Sequence, residues 1–252
     1  MLLMLKGFYQ IFKVMHVDIL IIMAHPDDAE LSCSGTILSS LDQGMTVGMI
    51  DLTAGELGTR GSSKLRLNEA NNSAKLLKVS FRENMFFRDG YFIADENNIN
   101  DLIIKIRKYT PRIIITNSKI ERHPDHEEAA KLVKKASFLS GLQKIKTIYD
   151  IDNQEPWRPK IILNSIQNNY LKPDFIVDIT KFYSKKIDSI RCFKSQFYDI
   201  KSKEPESFIS SQNFLKFISS RAIEFGHMIN VEYGEGFVSD SGLKVNNLSQ
   251  II

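Results

Sequence analysis

Runs of β-branched and apolar residues recur along the first half of the chain, and a segment with helical periodicity follows each run. The runs lack the alternation of a half-exposed strand, so they predict strands that are buried on both faces. The predicted strands cover residues 17–24, 46–52, 83–87 and 112–117. The predicted helices cover residues 35–44, 63–79, 100–109 and 126–140.

This alternation of strand and helix predicts the α/β class. We expect a Rossmann-like, mostly parallel sheet with helices on both faces, which gives a three-layer α/β/α arrangement. The carboxyl ends of parallel strands lie at one edge of such a sheet, and functional sites are built there. The loops that should converge at this edge are 24–30, 53–63, 88–91 and 118–126.

The second half of the chain has a less regular pattern. It predicts strands at 160–166 and 174–179 and helices at 181–197 and 211–230. The helix at 181–197 is rich in polar residues, so we expect it to be mostly a solvated face. A last segment, 231–237, contains Gly234-Glu235-Gly236 and could reach back to the site.

No linker, internal repeat or low-complexity tract interrupts residues 15–252, so we expect a single domain there. We interpret residues 1–14 as an extension upstream of the native start, with a short helix packed outside the domain as the alternative. Lys6 and Lys13 interrupt the apolar stretch at this end, which is too short to span a bilayer. We therefore expect no membrane attachment.

Charge and cysteine content narrow the function classes. The chain has 33 basic and 30 acidic residues, and this near-balance gives no reason to expect nucleic acid or a membrane surface as a partner. Its two cysteines do not make a disulfide framework, which is typical of a protein of the reducing cytoplasm. We expect Cys33 to be a small buried hydrophobic residue rather than a ligand.

Two similar tetrads follow the first and fourth predicted strands. The first is His25-Pro26-Asp27-Asp28, and the second is His123-Pro124-Asp125-His126. Three of the five histidines of the chain lie in these tetrads. Because both tetrads follow buried strands, we expect them to meet at the same edge of the sheet and to hold one metal ion.

Two imidazoles and one carboxylate form the open ligand set of catalytic zinc, and Fe²⁺ accepts the same set. One of the two adjacent aspartates can bind the metal, which leaves the other beside a water molecule whose pKa the zinc lowers to about 7. That free carboxylate is a candidate general base. The histidine of the second tetrad that does not bind the metal can supply counter-charge and a proton, and Asp125 could keep it protonated. These parts predict metal-assisted hydrolysis of an amide, but spacing leaves open which aspartate and which histidine has which role.

The two tetrads resemble those of the LmbE-like/PIG-L family of zinc-dependent N-acetylglucosaminide deacetylases. Further segments are similar to the bacillithiol-biosynthesis branch of that family, the N-acetyl-glucosaminyl-L-malate deacetylases. These segments are 55–61, 88–90, 149–159 around Trp157, 194–197 and 234–237. The resemblance covers residues 17–237 and implies a cytoplasmic homo-oligomer, a trimer or a hexamer.

The resemblance also implies a role for each site residue. The implied zinc ligands are His25, Asp28 and His126. Asp27 becomes the general base, and His123, oriented by Asp125, becomes the oxyanion stabiliser and proton donor. Arg66 and Asp89 match the positions that contact the sugar. For the two carboxylates of a malate group, Arg60 and Arg122 are candidates by loop position, although each could equally be a solvent-exposed arginine.

The implied reaction is hydrolysis of the N-acetyl group of N-acetyl-α-D-glucosaminyl L-malate, which gives glucosaminyl-malate and acetate. The alternative within the same class is a deacetylase of another N-acetylglucosamine compound, such as a chitobiose-type substrate. A non-hydrolytic metal-binding or nucleotide-binding α/β protein is a less favoured alternative. The glycine-rich loop 53–61 lacks both G-x-G-x-x-G and a Walker lysine, which argues against nucleotide binding.

Overall fold

The computed structural model describes residues 16–248, so the interpretation of residues 1–14 lies outside the described part of the chain. The strands are β1 (Ile19–Met23), β2 (Val47–Thr53), β3 (Phe81–Phe87), β4 (Ile113–Thr116), β5 (Ile148–Tyr149), β6 (Asp152–Asn153), β7 (Ile161–Ser165), β8 (Phe175–Asp178) and β9 (Gly234–Ser239). The helices are α1 (Asp28–Asp42), α2 (Ser63–Leu77), α3 (Glu96–Tyr109), α4 (Pro124–Leu139), α5 (Tyr183–Ile190) and α6 (Phe214–Met228), with a 3₁₀ turn at Thr180–Phe182. No helix among these is long and apolar enough to cross a bilayer.

Seven strands form one sheet in the order β3-β2-β1-β4-β7-β9-β8. The first five strands in this order pair in parallel, whereas β9 is antiparallel to both β7 and β8. The mostly parallel α/β sheet is therefore confirmed. A short hairpin of β5 and β6 lies outside the sheet and was not predicted.

Successive residues of β1 point to opposite faces of the sheet and enter two separate cores. Leu20 and Ile22 pack with apolar residues of α3 and α4, whereas Ile21 and Met23 pack with apolar residues of α1. Because a strand alternates its side chains between faces, a wholly buried strand requires a helical layer on each side. The three-layer α/β/α arrangement is thus confirmed, and Cys33 is a buried residue of the second core.

Helix α1 begins at Asp28, seven residues earlier than the predicted start at residue 35. The prediction was wrong because all residues from Asp28 to Leu38 are buried, polar ones included, so this stretch has no apolar stripe to detect. The serine hydroxyls in it are satisfied within the helix: Ser32 Oγ donates to the Asp28 carbonyl and Ser34 Oγ to the Glu30 carbonyl. The early start places the first tetrad directly at a helix N-terminus.

The predicted helix at 181–197 is also wrong in extent and in exposure. α5 ends at Ile190, and turns carry the chain onwards to Phe197. Its face is not mainly solvated, because Ile190, Phe193 and Phe197 belong to a third apolar cluster with α6 and because Lys186 is buried. The sequence pattern did not predict that Lys186 is buried, because a lysine is rarely buried unless it has a charged partner.

Candidate active site

The first tetrad connects β1 to α1 at the carboxyl edge of the sheet. Asp27 precedes α1 with φ +114° and ψ −23°, a conformation that a residue with a side chain rarely adopts. Such strained residues cluster at functional sites. Asp28 then opens the helix, and its Oδ2 accepts a hydrogen bond from the backbone N–H of His25 at 3.0 Å.

The carboxylate of Asp28 is held by groups from three other segments. Its Oδ1 lies 3.1 Å from Nε2 of His126 and accepts from Nε2 of Gln167 at 2.8 Å. Its Oδ2 accepts from Nδ2 of Asn117 at 3.0 Å. Burial raises the pKa of this carboxyl group, but the imidazoles of His126 and His25 outweigh it and hold the pKa well below its usual value. Asp28 therefore stays ionised.

The second tetrad forms the N-terminus of α4. His123 is the N-cap, and its Nδ1 accepts from the backbone N–H of Asp125 at 3.3 Å. In the neutral imidazole the proton then sits on Nε2. Burial, together with the nearby His25 and His126, lowers the pKa of His123 to about 4. Oδ2 of Asp125 accepts from the backbone N–H of Gly90 at 2.8 Å and lies 3.3 Å from Nε2 of His25.

His25 lies at the centre of the site, where the two tetrads meet. Its Nε2 is 3.0 Å from Oδ1 of Asp89 and 3.3 Å from Oδ2 of Asp125, and its Nδ1 is 3.5 Å from Oδ2 of Asp28. Burial lowers the pKa of His25, but hydrogen bonds to these three carboxylates raise it well above its usual value. Three buried carboxylates therefore converge on one imidazole.

The donor set fits a divalent cation. Nitrogen atoms of His25, His123 and His126 lie within 4.8 Å of one another, as do ligand atoms of His25, Asp89 and Asp125. Within the described part of the chain, the buried Nδ1 of His126 has no hydrogen-bond partner. Imidazole nitrogens and carboxylate oxygens suit zinc and Fe²⁺. The structure brings the predicted ligands His25, Asp28 and His126 together, and their ligand role stays a prediction because these donors allow more than one set.

Asp27 and Arg66 form a buried ion pair beside this cluster. Nη2 of Arg66 donates to Oδ2 of Asp27 at 3.1 Å and to the Pro26 carbonyl at 2.9 Å, while Nη1 donates to the Gly55 carbonyl at 3.3 Å. Burial raises the pKa of Asp27 to about 7, although Arg66 opposes the change. Gly55 has φ +63°, and a Cβ there would overlap the guanidinium, which explains one glycine of the 53–61 loop.

A cavity of about 410 Å³ opens over these groups, and all four predicted substrate-binding residues line it: Arg66, Asp89, Arg60 and Arg122. The guanidinium of Arg60 is buried and bonded to the chain itself, to the Phe197 carbonyl at 3.1 Å and to Ser202 Oγ at 2.5 Å. Arg122 lies at the mouth, with its guanidinium carbon 4.2 Å from the ring centroid of Phe208. Of the two candidate anion-binding arginines, Arg122 is thus the more accessible.

The comparison with protein families matches residues 20–137 to the PIG-L model, described as GlcNAc-PI de-N-acetylase. This match shows similarity to that family over these residues. It covers both tetrads, so the family that they resemble is the family that the comparison supports.

Relatives named for two different substrates are similar to this chain. Diacetylchitobiose deacetylase of Thermococcus kodakarensis is 27% identical over 229 residues, which cover 86% of this chain and 81% of that protein. A probable N-acetyl-alpha-D-glucosaminyl L-malate deacetylase 2 of Bacillus anthracis is 23% identical over 192 residues, which cover 71% of this chain and 81% of that protein. The solved structure of N,N'-diacetylchitobiose deacetylase from Pyrococcus horikoshii is 27% identical with a TM-score of 0.75, covering 93% of this chain and 88% of that one.

Sequence reasoning missed two residues that hold Asp28, namely Asn117 and Gln167. Asn117 follows β4, and its Oδ1 also accepts from the backbone N–H of Ala24, so it ties the ends of β4 and β1 together. Gln167 lies two residues beyond β7. A usable signal existed for Asn117, because it is a polar residue at the end of a predicted buried strand. Gln167 lies beside the end of another strand at the same edge.

Replacing Gln167 by leucine should weaken zinc binding by about 10- to 100-fold, because loss of an outer partner of a metal ligand has effects of that size. A competition titration with a chromogenic chelator measures the affinity. Gln154→Leu is the matched control, because Gln154 also donates a side-chain hydrogen bond, to the Ile104 carbonyl of α3, and does not line the cavity. Equal zinc affinity in the Gln167→Leu and wild-type proteins would show that Gln167 does not support the metal ligand.

Proposed function

We propose that this protein is a metal-dependent deacetylase that hydrolyses the acetamido group of an N-acetylglucosamine-type substrate. The observation that carries the proposal is the meeting of the two tetrads in one buried cluster on a cavity of about 410 Å³. A strained aspartate with a pKa of about 7 lies in the same cavity, as general-base chemistry near neutral pH requires.

In this proposal His25, Asp28 and His126 hold the metal, and zinc or Fe²⁺ suits them. A divalent cation bound there would lower the pKa of a water molecule and polarise the acetyl carbonyl. Asn117 and Gln167 fix the direction of the Asp28 carboxylate through their amide N–H groups.

Asp27 accepts the proton of the attacking water. Nη2 of Arg66 holds Oδ2 of Asp27, which leaves Oδ1 of this cavity-lining residue to accept the proton. A pKa of about 7 matches the operating pH of a general base better than the usual value of an aspartate does. The same carboxyl group can return the proton when the C–N bond breaks.

His123 supports the developing charge on the acetyl oxygen. Its Nδ1 accepts from the backbone N–H of Asp125, so Nε2–H is the donor that remains for the substrate. A hydrogen bond that forms in the transition state and not in the ground state raises kcat. The leaving nitrogen takes its proton from Asp27, which lines the cavity and received that proton from the attacking water.

The comparisons favour a chitobiose-type substrate over the malate compound, because the chitobiose relatives have higher identity and cover more of the chain. We therefore propose diacetylchitobiose as the first substrate to test. N-acetyl-glucosaminyl-L-malate is the second candidate. It is supported by Arg122, an accessible cation at the cavity mouth, and by the more distant malate deacetylase relative.

An acetate-release assay compares diacetylchitobiose, N-acetyl-glucosaminyl-L-malate and free N-acetylglucosamine on the zinc-loaded protein. We expect the highest kcat/KM with diacetylchitobiose. A preference for the malate compound would select the second candidate, and no release from any of the three would contradict the proposed function. Cytoplasmic location and a homo-oligomeric state, trimer or hexamer, stay predictions from the sequence.

Arg122→Ala should lower kcat/KM for the malate compound by about 10- to 100-fold, because it removes a charge-assisted hydrogen bond to a carboxylate. It should change kcat/KM for the uncharged diacetylchitobiose far less. Arg112→Ala is the matched control, since Arg112 is an exposed arginine outside the residues that line the cavity. A similar loss of kcat/KM for both substrates would show that Arg122 does not bind the anionic group of the substrate.

A further inference from the structure

A buried ion pair that takes no part in the proposed chemistry lies behind the site. Nζ of Lys186 on α5 is 2.6 Å from Oε1 of Glu235 on β9, and these side chains are only 2% and 4% exposed. Removing two charges from water is costly, so such a pair adds little net stability over an apolar pair of similar volume. Its presence calls for a role other than stability.

The pair contacts the backbone in the middle of α1. Nζ of Lys186 donates to the Leu31 carbonyl at 2.8 Å and to the Glu30 carbonyl at 3.3 Å. The carboxylate of Glu235 accepts from the backbone N–H of Gly35 at 3.0 Å. In a regular helix the Leu31 carbonyl and the Gly35 N–H would bond to each other. The ion pair thus contacts both the acceptor and the donor of one helical backbone pair.

A second contact fixes the position of α1 along its axis. Oε2 of Glu235 accepts from both the backbone N–H of Thr36, at 2.7 Å, and its Oγ1, at 2.6 Å. A Cβ on Gly35 would lie 2.7 Å from Cβ of Ile179, so the helix is in close contact on that side. Hydrogen bonds to individual backbone groups hold α1 at one position along its axis, whereas apolar contacts alone would let it slide.

The same segment also reaches Asp28 from the other side of the site. The carbonyl of Gly236 accepts from the backbone N–H of Ile166 at 3.2 Å. The next residue, Gln167, donates to Oδ1 of Asp28 at 2.8 Å. Glu235 and Gly236 therefore connect both to the helix that Asp28 opens and to the amide that holds its carboxylate.

We propose that Lys186 and Glu235 are positioning residues that set the place of Asp27 and Asp28 relative to the second tetrad. Asp28 lies two helical turns before Gly35, about 10 Å along the axis of α1, so a shift of the helix moves both aspartates. This inference rests on the proposed metal-dependent function. It predicts that the pair controls metal affinity and turnover beyond its effect on stability.

The test compares the double variant Lys186→Met/Glu235→Gln with the wild-type protein. The double change removes both charges, so no unpaired charge of this pair remains buried beside α1. Thermal unfolding measures stability, chelator competition measures zinc affinity in the absence of substrate, and steady-state kinetics at saturating zinc separate kcat from KM. We expect cooperative unfolding, zinc affinity lowered about 10-fold and a lower kcat with a nearly unchanged KM.

Glu83→Gln is the matched control for lost stability. The Glu83 carboxylate accepts from Lys105, Lys108 and Tyr109, all outside α1, and its replacement should lower the unfolding temperature without changing zinc affinity or kcat. If the double variant does not fold, Thr36→Val gives the same test with a smaller expected change, because it removes the hydroxyl contact to Glu235 and no charge.

Wild-type zinc affinity and kcat in the folded double variant would overturn the positioning role. An equal loss of zinc affinity in Glu83→Gln would also overturn it, because the loss would then follow from lower stability in general and not from the position of α1. A wild-type protein that binds no zinc is a different result, which contradicts the proposed function itself.

Discussion

The Asp27→Ala protein is expected to bind zinc as tightly as the wild-type protein and to lose about 10²- to 10⁴-fold in kcat. The carboxylate of Asp27 bonds to Arg66 and not to the histidines, so its removal leaves the proposed ligands in place. It does remove the group whose pKa of about 7 suits acceptance of a proton from water. Replacement of Asp27 should therefore abolish most turnover and leave metal binding intact.

Asp27→Asn is the matched variant, because it keeps the shape of the side chain and an oxygen that can accept from Arg66. It should be as inactive as Asp27→Ala, since an amide cannot act as a base. Zinc content by elemental analysis and acetate release from diacetylchitobiose measure the two properties. Normal turnover in either variant would show that Asp27 is not the general base.

The Asp28→Ala protein is expected to lose zinc, with affinity reduced by more than the roughly 100-fold that loss of an outer partner causes. Asp28 contacts His126 directly and lies 3.5 Å from Nδ1 of His25, so it joins the two halves of the site. Its neighbour Asp27 has a different direction and cannot replace it, because the two residues differ sharply in backbone conformation.

The histidines of the second tetrad should behave differently from each other. His126→Ala should lose zinc as Asp28→Ala does, whereas His123→Ala should keep most of the zinc and lose kcat. The imidazole nitrogens of His25, His123 and His126 lie close enough together to form an alternative ligand set. Equal zinc loss in the two histidine variants would therefore show that His123 is a ligand rather than the oxyanion stabiliser.

The sheet and the convergence of the tetrads could be predicted from sequence because they depend on local composition. A run such as Ile19–Met23 is apolar at every position, and this composition indicates a strand that is covered on both faces. Sites at the carboxyl edge then follow from parallel pairing. The direction of β9 could not be predicted, because the pattern of a strand does not indicate whether it runs parallel or antiparallel to its neighbours.

The residues that hold the site together were harder to predict because their partners are distant in sequence. Lys186 and Glu235 contact the middle of α1, and their polar character suggests a surface unless the partners are known. Arg60 illustrates the same difficulty: loop position suggests a substrate contact, whereas its guanidinium bonds to Phe197 and Ser202. Such contacts arise only when the sheet register brings the segments together.

Hydrolysis of an N-acetylglucosaminide by this protein should require a metal held by the two tetrads. The most direct measurement is acetate release from diacetylchitobiose by metal-free protein, repeated during titration with zinc. We expect no release from the metal-free protein and full activity at about one equivalent of zinc per chain. Metal-free protein that hydrolyses the substrate as fast as the zinc-loaded protein would contradict it.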